Sequence, residues 1–374
     1  MDESKTSPYE QYVDLYEFYK KNKERESIVF TGCGPNDEGL SIFDGINIIS
    51  GMTGAGKSTF GYSIAFQALL KGKNVAFINV EIPKQNVFFH MLSILSYYKC
   101  LKRDRDIINI LKPNDEGISH SYMKKGTLSD EYEKYTFGTL WDEFKHLPGQ
   151  LYSLSAIEFD TTSPKSLIGR LIEIEELSKK NTGKGIELVI VDYIQMFKKF
   201  DNISSEYESY NNWVNYFMKL SNNYIEKDKS IPIILLSQLN RDAWKSESVA
   251  KRNEAKNSAA PPTAKKKSTD IYFNLSQVAG SLEIARAANQ VFVIYTDESL
   301  KMCNQCQIYY LKSRDGQTMD YPVNVSMNCK YSFVGEFEGI NRSYNVFDGT
   351  LEDIFDTNAS ETTFCFDEEF VGMD

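Results

Sequence analysis

The stretch Gly51-Met52-Thr53-Gly54-Ala55-Gly56-Lys57-Ser58-Thr59 follows two apolar residues, Ile48 and Ile49, and opens a helical pattern. Gly-x-x-x-x-Gly-Lys-Ser between a strand and a helix is the P-loop pattern. The spacing has a physical reason. Glycines let the backbone curl so that successive N–H groups point inward at phosphate oxygens. The helix expected from Thr59 to Leu70 adds its positive end. In such a loop Lys57 reaches the β- and γ-phosphates and the Ser58 hydroxyl ligates Mg²⁺. The expected ligand is a nucleoside triphosphate with Mg²⁺, bound by an α/β core.

Length and charge bound what that loop is attached to. At 374 residues, one large α/β domain with additions is expected. No apolar run reaches the roughly 18 residues of a membrane-crossing helix, and the acidic start, Met1-Asp2-Glu3, is not that of a signal peptide. Six cysteines without regular spacing fit a reducing cytoplasm. The net charge of −10 disfavours a nucleic-acid partner until its distribution is considered. After Arg342 there are nine acids and no base, so residues 1–342 carry 43 acids against 42 bases. The acidity belongs to the tail.

Along the chain, Ser7-Pro8-Tyr9-Glu10 reads as a capping box, and Tyr9, Tyr12, Tyr16 and Tyr19 give the following helix an aromatic face. That face could cover its own domain or a neighbouring subunit. Turn-rich residues 27–47 lead to the P-loop strand. A buried strand over Asn74–Val80 ends at Glu81, which is either the start of the next helix or a catalytic base. Residues 84–180 read as mostly helical, with a polar interruption from Lys112 to Ser129 and a short strand at Leu151–Leu154. Ile186–Asp192 is an apolar strand ending in an acid, the expected Mg²⁺-side carboxylate of an NTPase. A helix is expected from Ser205 to Lys227, then a strand over Ile231–Leu236 followed by Ser237-Gln238. The Gln238 amide either senses the γ-phosphate or is a satisfied strand end.

Residues 245–267 hold seven bases against two acids, with Pro261-Pro262, and will not pack into a core. Lys251, Arg252, Lys265, Lys266 and Lys267 are best read as phosphate-backbone contacts. A helix is expected over Gly280–Ala288 and a strand over Gln290–Tyr295. Lys312 and Arg314 bracket a hairpin turn. Cys303-x-x-Cys306 has no matching pair or nearby histidine and does not read as a zinc site.

Six segments, in order, resemble the ATPase domain of DnaB-type replicative helicases, a branch of the RecA-fold NTPases. They are the P-loop; Asn79-Val80-Glu81-Ile82-Pro83; Val191-Asp192-Tyr193-Ile194-Gln195; Pro232 through Ser237-Gln238-Leu239-Asn240-Arg241; Gly280-Ser281-Leu282-Glu283 with Ala287-Ala288-Asn289; and Lys312-Ser313-Arg314-Asp315-Gly316. The resemblance implies a RecA-like P-loop NTPase core, a mostly parallel sheet flanked by helices, over 29–345. Around it stand 1–28 as an N-terminal helix that could link subunits, 242–274 as a basic loop and 346–374 as an acidic flexible tail. It further implies Glu81 as general base, Gln238 as phosphate sensor, Asp192 with Ser58 at Mg²⁺, and Lys312 and Arg314 as cations inserted into the next subunit's site. Arg241, Gly280 and Ser281 join the basic residues in contacting single-stranded DNA. The partners implied are that DNA, further copies of the chain in a ring of usually six, and other replication proteins, with the tail as a docking segment. The cellular setting implied is the cytoplasm of a bacterial or phage-infected cell.

The sequence also departs from the family pattern. Those helicases carry an N-terminal collar or primase, whereas about 28 residues precede the core here. Ser276-Gln277-Val278-Ala279 stands where arginine and glutamate are frequent. A filament-forming recombinase or a ring ATPase acting as loader or scaffold are the alternative readings.

Overall fold

The computed structural model describes residues 28–30, 40–42, 44–197, 206–222, 230–240, 273–278, 282–314 and 322–336, with isolated positions besides. All but the isolated positions 16, 20, 225 and 318 lie in these segments, and all belong to a unit ending at Asn341; Arg342–Asp374 forms a second unit outside the described residues. The expected tyrosine-faced helix, basic loop and acidic tail also fall outside them, apart from helical Tyr16 and Lys20 and the loop's last two residues, Phe273 and Asn274.

The core is a nine-stranded sheet in the order β11-β10-β9-β8-β3-β7-β6-β4-β5. Here β3 is Gly45–Gly51, β4 Val75–Asn79, β5 Leu151–Ser155, β6 Leu188–Asp192 and β7 Pro232–Gln238. They are followed by β8 Gln290–Tyr295, β9 Gln305–Ser313, β10 Val323–Asn328 and β11 Phe333–Val334. β1 (Ile28–Phe30) and β2 (Leu40–Ile42) form a separate antiparallel pair. Strands β8, β3, β7, β6, β4 and β5 run parallel, and β9 to β11 add antiparallel to the β8 edge. The parallel strands read as unbroken apolar runs because helices cover both faces. Every residue of β3, β4, β6 and β8 is buried.

Helix Lys57–Leu70 is buried nearly all round, and at Gly61 an added Cβ would lie 2.9 Å from Leu236 Cδ1. Helix and β7 therefore touch backbone to side chain there. The helix begins at Lys57, two residues before the expected start, because left-handed Gly56 is its N-cap and the Gly56 carbonyl already accepts from the Phe60 N–H at 2.8 Å. Helix Pro164–Thr182 is capped by the Ser163 hydroxyl and stopped by Gly183 in the left-handed region, φ +75°.

The region expected as a polar interruption holds a helix, His120–Lys125. Ser119 caps its start, Gly126 at φ +64° ends it, and buried Met123 ties it to the core. Its polarity conceals two good end signals. A π-helical turn at Thr136–Leu140, continuous with helices on both sides, matches no pattern in the sequence.

Four elements meet at a half-buried histidine pair. His90 of helix Lys84–Leu101 stacks on Tyr62 at 4.3 Å and on His120 at 4.2 Å between ring centroids. Its Nδ1 lies 2.6 Å from the Ser332 hydroxyl, which is 3.1 Å from His120 Nδ1. Burial, then the proximity of His120 and Lys124, pushes the His90 pKa down to about 3. Native His90 thus refuses a proton that the unfolded chain accepts near pH 6.5. Its contribution is intact above that pH and is lost as pH falls from about 6.5 toward 3. Urea unfolding between pH 7 and 4 should show stability declining by up to about 1.4 kcal/mol per pH unit from this residue. His90→Phe, which keeps the stacking, should flatten that slope by up to one proton; an unchanged slope would exclude His90 as its source.

Candidate nucleotide site

The parallel strands end on one edge of the sheet, and the chain turns there carry the polar residues. Gly51 closes β3 between Gln238 of β7 and Ile294 of β8. A side chain at Gly51 is impossible, since its Cβ would lie 2.7 Å from the Ile294 carbonyl oxygen. Met52 and Ala55 are buried while Thr53 and Gly54 are exposed, and the Ala55 N–H donates to Met52 O at 3.1 Å to close the loop. Gly56, at φ +94°, is the N-cap of the helix that continues through Lys57, Ser58 and Thr59. Residues 51–59 thus form the strand–loop–helix expected of them.

The Lys57 ammonium turns back onto the loop, donating to Gly51 O at 3.1 Å and Met52 O at 2.8 Å. Burial pushes its pKa down to about 8, against the opposing pull of Asp192 and Glu81. Two carbonyl dipoles are weak counterparts for a buried cation, so an anion in the loop is the better partner. Asp192, at the end of β6, is 3% exposed. Burial raises its pKa to about 6; the Ser58 hydroxyl, which donates to it, and Lys57 lower it, while Glu81 raises it. A buried carboxylate bonded to the P-loop serine suits a hard divalent cation, for which Ser58 and Asp192 supply oxygen donors.

Glu81 follows β4, next to β6 in the sheet. The helix-start reading of this residue fails, because helix Lys84–Leu101 is capped at Pro83 with no side-chain cap. Asn79 instead accepts from the backbone N–H groups of Glu81 at 3.0 Å and Ile82 at 2.8 Å. This Asx-type turn redirects the chain out of the strand. Val80 N–H donates to Asp192 O at 3.0 Å, locking the two strand ends together. Glu81 is exposed, and its charge acts on Lys57, Tyr62, Asp192 and Tyr193. In the sequence Asn79 stands out only as part of a motif; an asparagine two residues before a strand-end acid is the signal that marks its turn.

Gln238 ends β7 in register with Gly51, and the next residue, Leu239, donates its N–H to Gly51 O at 3.2 Å. Beyond it the chain is clasped. Asn240 donates its N–H to Gln277 O and its side-chain amide to Ser276 O, both at 2.9 Å, and Leu239 pairs with Val278. The two ends of segment 241–272 therefore meet beside Gln238. Arg241, Lys251, Arg252, Lys265, Lys266, Lys267, Gly280 and Ser281 lie outside the described residues.

Lys312 and Arg314 are not brought to this edge. β9 runs antiparallel, so Ser313 pairs with Gln290 at the start of β8, which pairs with Asn47 of β3. Four residues along β3 and two strands across place Ser313 roughly 16 Å from Gly51, at the opposite edge. There Lys312 Nζ donates to Ala285 O at 3.0 Å and to Arg286 O, and the Arg314 guanidinium donates to Arg286 O at 3.1 Å and Ala287 O at 3.3 Å. These carbonyls end helix Leu282–Ala287. Of the lone cysteine pair, Cys306 is buried on β9 and Cys303 is exposed.

A family model described as the DnaB-like helicase C terminal domain matches residues 38–332. No curated protein matches the sequence. In structure the chain is similar to a solved ATPase domain, with a TM-score of 0.60 and 16% identity over 90% of this chain and 100% of that one. It is also similar to a DnaB-like replicative helicase solved with its interactions with primase, at a TM-score of 0.58 and 15% identity, covering 90% of this chain and 68% of that one. At such identities the likeness is one of fold.

Lys57→Ala should abolish nucleotide binding, since the loop loses its only buried cation among the described residues. Glu81→Gln should bind ATP with little change and lose about 10²–10⁴ in turnover. Nucleotide titration beside steady-state phosphate release separates the two effects; full turnover by the Glu81 variant would remove it as the base.

Proposed function

Because the chain belongs to the DnaB-like helicase C-terminal domain family, we propose that it is an ATP-driven replicative DNA helicase translocating on single-stranded DNA as a ring of identical subunits, six in number. The supporting observation is the division of polar residues between opposite sheet edges. The P-loop, Glu81, Asp192 and Gln238 gather at one edge, while Lys312 and Arg314 stand at the other, too far to reach their own P-loop. A ring of subunits packed head to tail brings one copy's second edge to the next copy's first, which is the heterologous contact that closes into a circle.

The chemistry assigned to each residue follows from its setting. Lys57 and the loop N–H groups hold the β- and γ-phosphates, and Ser58 and Asp192 hold Mg²⁺, which offsets phosphate charge when bound. Glu81 accepts a proton as a water oxygen bonds to the γ-phosphorus and the bond to the β-phosphate oxygen breaks, giving ADP and phosphate. Gln238 contacts the γ-phosphate. Lys312 and Arg314 of the adjoining copy stabilise charge on the transferring group. The clasp at Asn240 and Ser276–Gln277 sits between the sensor and the basic segment, so phosphate loss has a short route to the assigned DNA contacts. The acidic, phenylalanine-bearing tail, 346–374, is assigned to docking another replication protein.

Strand displacement on a forked duplex tests the reading. Unwinding with ATP and none with a non-hydrolysable analogue is expected. ATP hydrolysis without displacement would favour a loader or scaffold, and strand exchange would favour a recombinase.

Two variants address the finer assignments. Arg314→Ala should bind ATP nearly normally and hydrolyse it about 10³–10⁵-fold more slowly. Mixed with Lys57→Ala in one assembly, it should regain part of the activity, because some interfaces then pair an intact loop with an intact Arg314. A flat, inactive titration across all ratios, with mixed assembly verified, would sink the shared site. Neutralising Lys251, Arg252, Lys265, Lys266 and Lys267 together should weaken single-strand binding and flatten its salt dependence, as fewer counterions are released. An unchanged slope would return the segment to a solvated surface.

A further inference from the structure

Between the ends of β6 and β7 lies a glutamine that the assigned chemistry leaves unused. Gln195 sits in the single 3₁₀ turn Ile194–Met196, three residues past Asp192. Its Nε2 donates to the Ser237 hydroxyl at 2.7 Å and to Gln238 O at 3.4 Å. The Ser237 hydroxyl donates onward to Gln238 O at 3.3 Å, so its lone pair is free for Gln195. The orientation of the amide follows, because its oxygen turned toward Gln238 O would face another acceptor. Behind it, the Gln195 carbonyl accepts from the Tyr210 hydroxyl at 3.2 Å. The residue is thus held at its side-chain amide and at its backbone carbonyl. Its remaining atom, Oε1, is buried and has no hydrogen-bond partner.

An empty buried acceptor is costly to keep and calls for an explanation. The residue whose backbone carbonyl the amide already touches, Gln238, has side-chain donors to offer. Its side-chain amide has two N–H groups, and a phosphate sensor needs one of them. An unrestrained terminal amide rotates freely between presenting nitrogen and presenting oxygen, and oxygen facing phosphate is repulsive. A fixed acceptor on the sensor's far side resolves the choice.

We propose that Gln195 is a positioning residue for phosphate sensing: its free Oε1 accepts one N–H of the Gln238 amide when triphosphate is bound, which aims the other N–H at the γ-phosphate. The proposal rests on the sensing role assigned to Gln238. It makes the turn after Asp192 part of the sensor, so one short segment serves both the cation-side carboxylate and the γ-phosphate contact.

The measurement is the ratio of affinities for a non-hydrolysable ATP analogue and for ADP, read by fluorescent-nucleotide titration on the full chain with Mg²⁺. Gln238→Ala should reduce the preference for triphosphate by about tenfold or more, as expected for a lost hydrogen bond to a charged group. Gln195→Met, of similar length without donor or acceptor, should reduce it comparably, with ADP affinity unchanged. The double variant should lose no more than either alone. Gln195→Asn keeps the amide but withdraws it by one methylene, and gives the same reading should the methionine variant not fold. Ser237→Ala removes the contact that fixes the amide's orientation, so it should lower the triphosphate preference in part, by less than Gln195→Met does. Full preference in both Gln195 variants, alongside its loss in Gln238→Ala, overturns this inference and leaves the sensor standing. Loss of ADP affinity in Gln195→Met equal to its loss of triphosphate affinity overturns it in favour of a purely structural strut. Full preference in Gln238→Ala overturns the sensor role and this inference together.

Discussion

Every parallel strand of the sheet delivers its next residue to the same edge. That constraint makes the site. β3, β4, β6 and β7 are adjacent in space though scattered over almost 200 residues of sequence, and their ends are stitched to each other by backbone hydrogen bonds. Val80 to Asp192 joins β4 to β6, and Leu239 to Gly51 joins β7 to β3. Side chains that leave such an edge start from backbone positions fixed by buried ladders on both sides. The electrostatics follow from the same burial. Lys57 is pushed down to about 8 and Asp192 up to about 6, each partly rescued by the other's charge. Opposite charges taken out of water together are the economical way to hold an anion and a cation side by side.

Direction reverses at β9, and the consequences are equally geometric. An antiparallel strand beside β8 must end where β8 begins, so anything at its carboxyl end is carried away from the nucleotide edge. The same reversal returns β10 and β11 to the P-loop helix. Met327 stands against Gly56, whose Cβ would lie 2.8 Å from its sulfur, and Val334 N–H donates to the Ser63 hydroxyl at 2.7 Å. The last strands thus brace the P-loop helix.

The family and its fold are legible because the sequence pattern and the physics coincide at strand ends. Gly51 to Ser58, Val191-Asp192 and Leu236-Ser237-Gln238 each join an apolar run to a polar residue, and burial on both sheet faces forces such runs to be parallel strands. Glu81 is ambiguous in sequence because an acid before Ile-Pro suits a helix start as well as a base. Only the Asn79 turn separates them, a local contact spanning two and three residues whose one signal is the asparagine itself. The His90–His120–Ser332 contact is invisible in the sequence for another reason, since Ser332 lies more than 200 positions from either histidine. The helix at His120–Lys125 escapes differently. At six residues it is too short for periodicity to register, and its stability comes from a serine cap, a left-handed glycine and a single buried methionine.

The two edges are not mechanically separate, and the reason lies in helix Leu282–Ala287. On its approach, Leu239–Asn240 and Ser276–Val278 are clasped next to Gln238 at the nucleotide edge. At its far end, the carbonyls of Ala285, Arg286 and Ala287 are held by Lys312 and Arg314 at the other edge. Cations at a helix C-terminus are stabilised by its dipole and by the carbonyls that have no partner within the helix. Those contacts therefore depend on where the helix ends. Residues assigned to meet a neighbour's phosphate are seated on an element continuous with the clasp beside this subunit's own sensor. With the shared-site assignment, rearrangement at one nucleotide has a short covalent and hydrogen-bonded route to the cations serving the next. That is a physical basis for subunits of a ring to fire in turn.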